Sequence, residues 1–168
     1  MYETLLTRRS VRKYADRQVT DAELDKVLEA GLYAPTAKNN QNPIMVAVRD
    51  KETRDLLSRT NAAIMGVETD PFYGAPCVIV VLADPAVPTW IDDGSLVMGN
   101  LLNAAHSLGL GSCWVNRARE FYDTEEGKAL LKKWGVPETY RGIGNVILGY
   151  PEETPEPKAR LEGRIIKV

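Results

Sequence analysis

The run CVIVVLA, residues 77–83, is the longest apolar stretch of the sequence and decides the fold. Most of its residues are β-branched, and apolar and polar positions do not alternate along it. A strand that is apolar on both faces belongs in the interior of a sheet, where both faces are covered. The run is also much too short to cross a bilayer. It therefore predicts a central strand.

The sequence on either side of this strand predicts further helices and strands. Thr20 and Glu23 form a capping-box pair near the start of a predicted helix over 19–35. A second helix, within 90–111 and beginning near Asp92, is apolar nearly all the way round, which is typical of a central helix or of one that packs against another subunit. The remaining predicted elements are strands over 44–49, 112–116 and 142–151 and helices over 51–59 and 123–135, and residues 61–76 receive no assignment.

Composition and charge indicate one globular domain over residues 1–168. Apolar residues make up 44% of the sequence and charged residues 26%, and no linker divides the chain. The net charge of −2 argues against a protein that wraps nucleic acid without sequence preference. Cys77 and Cys113 are far apart and are expected to be reduced and buried. Because no signal peptide or membrane-length run is seen, we expect a cytoplasmic protein without a membrane partner.

Acid–base and metal chemistry find little support in the sequence. His106 is the only histidine, and it lies in the apolar helix, where a core or interface histidine is the favoured interpretation. One histidine and two distant cysteines cannot form a zinc site of the common kinds. Neither a GxGxxG segment after a strand nor a GxxxxGK[ST] segment is present. We therefore predict no metal site.

Basic side chains at the two ends of the chain are the first candidate functional groups. They are Arg8, Arg9 and Arg12 in the segment RRSVRKY, residues 8–14, and Lys158 and Arg160 in PKARL. Guanidinium groups suit phosphate and planar polar edges, and Ser10 adds a hydroxyl. Either cluster alone fits a solvated surface better, but the two together could hold one phosphate. The loop APTAKNNQNP, residues 34–43, is either a surface loop or a wall that hydrogen-bonds a polar heteroaromatic ligand.

These segments, in this order, resemble the nitroreductase family of FMN-dependent oxidoreductases. The family motifs match RRSVRKY, then APTAKNNQ (34–41), LGLGSCWVN (108–116), GYP (149–151) and finally KAR (158–160). The resemblance covers nearly the whole chain and is to the shorter members of the family.

The resemblance implies an α+β fold, with a central, mainly antiparallel sheet flanked by helices, in an intertwined homodimer. FMN lies at the dimer interface. Separately, Ile165, Ile166 and Val168 at a chain end that would otherwise be frayed predict a C-terminal arm, over about 152–168, that reaches over the partner. NAD(P)H gives a hydride to the flavin N5 atom, and an electron-poor acceptor such as a nitroaromatic or a quinone then takes the electrons in a ping-pong sequence. The flavin carries this chemistry, while the protein binds and tunes it.

The resemblance also implies roles for individual residues. The positions for the FMN phosphate and ribityl chain are Arg8, Arg9 and Ser10, joined by Lys158 and Arg160 from the C-terminal end. Arg12 corresponds to the cation beside N1 and O2, where it stabilises the reduced ring. The loop residues implied in FMN binding, from the partner chain, are Pro35, Thr36, Ala37, Asn39 and Gln41. Val115 and Asn116 present backbone near N5 and O4, with Trp114 packed close by.

Two departures from the family concern the substrate side. The sequence reads QNPIM (41–45) where many members carry an aromatic residue after the glutamine, and 61–75 does not align with a flavin-contacting segment of the larger members. DPFYGAP (70–76) is expected to replace that segment, with Phe72 or Tyr73 lining the substrate side or lying in the core or the interface. Reductive dehalogenation, flavin fragmentation and a noncatalytic flavin-binding module stay open as alternatives. The acidic balance argues against a nucleic-acid-binding domain.

Overall fold

A four-stranded antiparallel sheet forms the centre of the computed structural model, which describes residues 2–168. Its strands are β1 (Ile44–Val48), β2 (Cys77–Ala83), β3 (Gly111–Val115) and β4 (Arg141–Gly149), in the order β1-β2-β4-β3. Every residue of β2 is buried, because this strand pairs with β1 on one side and with β4 on the other. The predicted interior position of CVIVVLA is thus confirmed.

Helices precede and connect the strands as far as residue 133. They are α1 (Tyr2–Thr7), α2 (Asp21–Leu32), α3 (Lys51–Met65), α4 (Trp90–Ser107), α5 (Ala118–Tyr122) and α6 (Glu125–Lys133), with a short 3-10 helix at Ala37–Asn39. α2 and α3 begin at side-chain caps, of which the first is predicted from the sequence. Thr20 and Glu23 form a complete capping box at α2, and Asp50 accepts a hydrogen bond from the Thr53 N–H at α3. The predicted α+β class is confirmed.

The alternation of side chains along β2 divides the core into two layers. Val78, Val80 and Leu82 belong to a layer that includes buried residues of α3, α5 and α6. Ile79 and Val81 belong to the opposite layer, which includes buried residues of α2 and α4. Helices therefore cover both faces of the sheet, and this is why β2 has no polar face.

The main difference from the predicted elements lies in residues 61–76. α3 continues past its predicted end and stops at Gly66, which has the left-handed conformation common after a helix (φ 69°). Asp70 then organises a tight turn, because its carboxylate accepts hydrogen bonds from the N–H groups of Phe72 and Gly74, each at 2.8 Å. Side-chain contacts rather than local periodicity hold this turn, so the sequence pattern does not reveal it.

The segment RRSVRKY follows α1 and runs beside the edge strand β3. Ser10 forms a parallel bridge with Ser112, and the Val11 N–H donates to the Ser112 carbonyl at 3.1 Å. Tyr14 forms an antiparallel bridge with Pro151, just after β4. The basic segment therefore lies against the sheet, next to the point where the C-terminal part of the chain leaves it.

Both cysteines are buried, as expected, and the single histidine is only half-buried. Cys77 lies in the central strand, and Cys113 lies in β3. His106 Nε2 is 2.9 Å from Thr7 Oγ1, so the histidine joins α4 to α1 instead of lying in the core. Within residues 2–168, no helix has both the length and the apolar character needed to cross a membrane.

Candidate functional site

Two buried nitrogens of the basic segment have no hydrogen-bond partner within residues 2–168. They are Arg8 Nη1 and Arg9 Nε. The Arg9 guanidinium is nevertheless fixed in direction, because its Nη1 donates to the carbonyl oxygens of Leu6 and Arg8 at 2.9 and 2.7 Å. Buried polar groups are normally paired, and a guanidinium with an unused donor suits an anionic oxygen. The two arginines thus offer free donors at the position predicted for a phosphate.

Arg12 lines a separate cleft of about 230 Å³ at the end of β3. Tyr73 and residues 113–117 form much of its wall, so the structure brings Arg12, Trp114, Val115 and Asn116 together at one cleft. The Arg12 guanidinium lies 5.9 Å from the centroid of the Tyr73 ring, within the range of a cation–π interaction. The Arg12 N–H donates to the carboxylate of Glu153, which ties this position to the C-terminal segment.

Only one of the two aromatic residues predicted for the substrate side reaches this cleft. Tyr73 is 43% exposed and lines it, in a left-handed conformation (φ 52°) that the Asp70 turn supports. Phe72 has no exposed surface and packs in the core, with the Arg54 guanidinium 5.7 Å from its ring centroid. A side chain without exposed surface cannot contact a substrate. Phe72 is therefore a core residue, which corrects its prediction as a substrate residue.

The backbone that follows β3 makes a strained corner beside the cleft. Arg117 has φ 78°, a conformation that residues with a side chain rarely adopt. Asn61, on α3, donates from Nδ2 to the Asn116 carbonyl at 2.7 Å and is only 2% exposed. Its Oδ1 is buried without a partner within the described chain. Backbone strain persists where the surroundings hold it, and it is common at functional sites.

The amide-rich loop, residues 34–43, is tied to the first turn of α4 by one carboxylate. Asp93 accepts hydrogen bonds from the Ala37 N–H at 2.9 Å, from Asn40 Nδ2 at 3.1 Å and from Thr89 Oγ1 at 3.0 Å. Asp93 is only 3% exposed. Burial by itself would raise the pKa of this carboxyl, but the three hydrogen bonds hold the pKa below its ordinary value.

The loop does not line the cleft that contains Arg12. Thr36 and Gln41 instead line a cavity of about 170 Å³ between the loop, α2 and β1. The predicted loop residues Pro35, Thr36, Ala37, Asn39 and Gln41 are therefore not joined to the basic segment within one chain.

Lys158 and Arg160 lie in the exposed segment after β4. This segment starts beside the basic segment, because the Glu152 N–H donates to the Lys13 carbonyl at 2.9 Å. A cavity of about 210 Å³ lies there and is lined by Arg9 and by residues 153–155. The two ends of the chain thus meet, although Lys158 and Arg160 themselves do not line this cavity.

A comparison with protein families identifies the chain. The model of the nitroreductase family matches residues 5–70 and 58–150, which contain the basic segment, the loop and the corner after β3. The chain belongs to the nitroreductase family. The predicted family is thereby confirmed.

Curated relatives of this nitroreductase carry oxidoreductase names. A protein of Archaeoglobus fulgidus, named NADH dehydrogenase/NAD(P)H nitroreductase, is 37% identical to this chain over 155 residues. The match covers 89% of this chain and 84% of that protein. The NADPH-flavin oxidoreductase of Vibrio harveyi is 29% identical over 98% of this chain and 71% of its own length. The predicted enzyme class is confirmed by these relatives.

Solved nitroreductase structures share the fold. The crystal structure of a nitroreductase with bound FMN from Bacteroides fragilis has a TM-score of 0.91 and 30% identity, and covers 99% of this chain and 97% of that chain. A nitroreductase with bound FMN from Desulfitobacterium hafniense has a TM-score of 0.89 and 26% identity over the same shares. The predicted nitroreductase-like sheet, flanked by helices, is confirmed.

Four residues that shape the site of this nitroreductase were not identified from its sequence. They are Asn61, Asp93, Arg117 and Glu153. Asp93 had a local explanation, since acidic residues suit the first turn of any helix. The only sequence signal that could have identified Asp93 as a site residue is its polar side chain in an otherwise apolar helix. Arg117 gives no signal, because its unusual backbone depends on the corner that follows β3.

Proposed function

We propose that this nitroreductase binds FMN at two sites of a homodimer and uses it to transfer electrons from NAD(P)H to an electron-poor small molecule, such as a nitroaromatic or a quinone. Relatives with flavin oxidoreductase names and similar structures with bound FMN support the cofactor. The observation that carries the proposal is that Arg8 and Arg9 each have a buried nitrogen without a hydrogen-bond partner among residues 2–168.

The phosphate of FMN fits the start of the basic segment. A phosphate group accepts hydrogen bonds from several donors at once. Arg8 Nη1 and Arg9 Nε are buried donors that have no acceptor in the described part of the chain. Ser10, which follows them, supplies a hydroxyl for the ribityl chain or the phosphate. Lys158 and Arg160 add positive charge once the C-terminal segment, which starts beside Lys13, folds over the site.

The flavin ring fits the cleft at the end of β3. Arg12 lines this cleft and places a permanent cation where negative charge develops on a reduced ring. The corner at Asn116 and Arg117 offers backbone groups held by Asn61, while Trp114 and Val115 form the wall. Tyr73, half-exposed at the same cleft, is placed to contact the acceptor.

The loop completes the site from the partner subunit. Pro35, Thr36, Ala37, Asn39 and Gln41 do not reach the cleft of their own chain, so their role in binding FMN requires a dimer. Exposed apolar side chains support such an assembly. Tyr2, Leu5 and Leu6 on α1 are 51–72% exposed, and Ile165 and Ile166 near the C-terminus are more than 80% exposed.

The chemistry requires little from the side chains of the chain itself. When bound, FMN supplies hydride and electron transfer, with donor and acceptor using the same cleft in turn. The protein holds the phosphate, excludes water from one face of the ring and keeps Arg12 beside it. This division of roles agrees with the scarcity of acid–base groups: the one histidine, His106, contacts Thr7 and does not line the cleft.

The proposal is tested by titrating the purified protein with FMN and by following NADH and NADPH oxidation. Bound flavin should give a yellow protein, and nucleotide oxidation should depend on an added nitroaromatic or quinone. Arg8→Ala should weaken FMN binding about ten- to hundredfold, because a hydrogen bond to a charged group contributes roughly 1.5–3 kcal/mol. Lys13→Ala is the matched control, since this neighbouring side chain is 66% exposed.

Each outcome separates the proposal from its alternatives. A protein that stays colourless and binds no added FMN would refute it. Bound flavin without NAD(P)H oxidation would indicate a noncatalytic flavin-binding module. Oxidation with loss of halide from a halogenated acceptor, but without reduction of nitroaromatics, would indicate reductive dehalogenation on the same fold.

A further inference from the structure

We infer that Asp93 is a positioning residue for the flavin site of the partner subunit: its buried carboxylate holds the loop, residues 34–43, in the conformation that the partner's site needs. The inference rests on the proposed function, because it takes the loop to bind FMN across the dimer.

The contacts of Asp93 point to the loop and not to its own helix. Two of its three hydrogen-bond donors, the Ala37 N–H and Asn40 Nδ2, belong to the loop and are more than fifty residues away in sequence. The third, Thr89 Oγ1, precedes α4 and holds the carboxylate in place. Asp93 is also only 3% exposed, and acidic side chains are almost never buried to this extent unless they are paired, as Asp93 is with these donors.

The loop needs an external anchor because its backbone is strained. Lys38, Asn39 and Gln41 all have positive φ, at 54°, 54° and 52°. For residues with side chains this conformation costs free energy and persists only where contacts impose it. Within the loop, Thr36 gives local support, since its carbonyl accepts from the Asn39 N–H and its Oγ1 accepts from the Gln41 N–H, both at 3.0 Å.

The loop is anchored at two points of the described chain. At its C-terminal end, Asn42 and Asp84 exchange hydrogen bonds at 3.1 and 2.9 Å, next to the β1 and β2 strands. Asp93 provides the other anchor, at the residues implied in FMN binding. Within residues 2–168, only Asp93 anchors the loop through a charged group, and charge-assisted hydrogen bonds are about twice as strong as neutral ones.

An amide cannot replace this carboxylate. The two oxygens of Asp93 accept from three donors, and an asparagine at this position would have one acceptor oxygen and a new NH₂ group facing a donor. Asp93→Asn keeps the shape of the side chain but leaves at least one loop donor without a partner. The loop should then lose its fixed conformation.

The first experiment measures FMN affinity of homodimeric Asp93→Asn. Loss of hydrogen bonds to a charged acceptor predicts an affinity about ten- to hundredfold weaker than that of the wild type. Asp92→Asn is the matched control, because this neighbour is exposed on the same helical turn, and it should bind FMN as the wild type does. Wild-type affinity in Asp93→Asn would overturn the inference and leave the proposed function intact.

The second experiment distinguishes positioning across the dimer from a general loss of structure. Two differently tagged chains, one with Arg8→Ala and one with Asp93→Asn, are coexpressed, and the mixed dimer is isolated by both tags. The site built on the intact Arg8 then receives its loop from the chain with intact Asp93. One FMN should bind per mixed dimer with wild-type affinity, while each variant homodimer binds FMN weakly at both sites.

The mixed dimer shows on which subunit Asp93 acts. A mixed dimer without any wild-type site would mean that Asp93 acts on its own subunit or only on folding, and would overturn the inference. If Asp93→Asn does not fold, Asn40→Ala, at an exposed position, replaces it in both experiments. A severalfold loss of FMN affinity is then expected. Wild-type affinity in Asn40→Ala would count against the inference. A wild-type protein that binds no FMN would instead refute the proposed function.

Discussion

Arg12 differs from the other arginines of the basic segment in its surroundings. Arg8 and Arg9 have buried nitrogens without partners among the described residues. Arg12 instead is exposed, lines the cleft and lies over the ring of Tyr73. The first pair suits a phosphate group. The third suits an extended aromatic ligand whose charge changes on reduction. We therefore expect neighbouring arginines of this segment to have different roles.

Arg12→Ala is expected to lower the midpoint potential of bound FMN, because the reduced ring loses a nearby cation that stabilises its negative charge. In a two-electron couple about 30 mV corresponds to about 1.4 kcal/mol, so we expect a shift of tens of millivolts. Potentiometric titration measures it. Lys13→Ala, which changes an exposed neighbour, should leave the potential unchanged. An unchanged midpoint in Arg12→Ala would exclude Arg12 from this role.

Asp70→Asn is expected to lower the free energy of unfolding by about 1.5–3 kcal/mol, as for other hydrogen bonds to a charged group. Its carboxylate accepts from Arg54 Nη2 at 2.6 Å, and the Arg54 side chain is only 11% exposed. Urea denaturation of both proteins at neutral pH measures the difference. Equal stability would show that the turn after α3 does not depend on this carboxylate.

The stabilisation by Asp70 should also depend on pH. Burial raises the pKa of this carboxyl, but hydrogen bonds from Ser58 and Arg54 outweigh it and hold the pKa below its ordinary value. Because the folded pKa is lower than the unfolded value of about 3.9, the stabilisation is present above about pH 4 and is lost as the pH falls through the folded pKa. The difference in stability between wild type and Asp70→Asn should therefore shrink in acid.

At the scale of elements, local signals explain what the sequence predicts and distant contacts explain what it does not. The capping box at Thr20 and the apolar run of β2 involve neighbouring residues, so the sequence reveals them. The turn after α3 depends on Asp70, and the loop depends on Asp93, through contacts that only the folded chain creates. The basic segment is visible because four cations lie close together in sequence. The role of the loop residues in the same site is predicted only from the family resemblance.

Gly142→Ala is expected to disturb the packing of α5 on β4. A Cβ at this position would lie 2.4 Å from the carbonyl carbon of Ala118 and 2.6 Å from its oxygen, and backbone atoms cannot rotate away. The start of α5 must then shift, and it directly follows the corner at Arg117. Overpacking of this kind costs about 1–3 kcal/mol, and we expect weaker FMN binding as well.

Thermal or urea unfolding and FMN titration of Gly142→Ala measure these two effects. Lys132→Ala, on the exposed side of α6, is the control and should change stability by no more than about 0.5 kcal/mol. If Gly142→Ala matches the control in both measurements, the close approach of α5 to β4 does not constrain the site.

At the scale of the whole molecule, apolar surface is concentrated where a partner is proposed. Leu161, Ile165 and Ile166 are 77–84% exposed in a segment without helix or strand, and α1 adds Tyr2 at 72%. A chain end of this kind is normally frayed unless it packs on something. We therefore expect residues 152–168 to form an arm over the second subunit.

Deletion of residues 161–168 is expected to weaken the dimer and, with it, FMN binding. The reason is that the deleted apolar side chains are exposed in the single chain, and we propose that they become buried in the dimer. Sedimentation at falling protein concentration, read together with flavin absorbance, follows both events. A double variant, Ile165→Ser with Ile166→Ser, should weaken the dimer and FMN binding as the deletion does. Lys167→Ser is its control and should leave both unchanged. A truncated monomer that keeps its flavin fully bound would contradict the shared site.

The two buried cysteines allow opening of the protein to be followed by thiol labelling of the unmodified chain. Cys77 lies in the central strand with no exposed surface, and burial raises the pKa of its thiol to about 12, so a reagent reacts with it only when the sheet opens. Cys113 lies at the wall of the Arg12 cleft, where a smaller movement admits a reagent. The labelling rate of Cys77 therefore measures global opening, and the labelling rate of Cys113 measures access to the cleft.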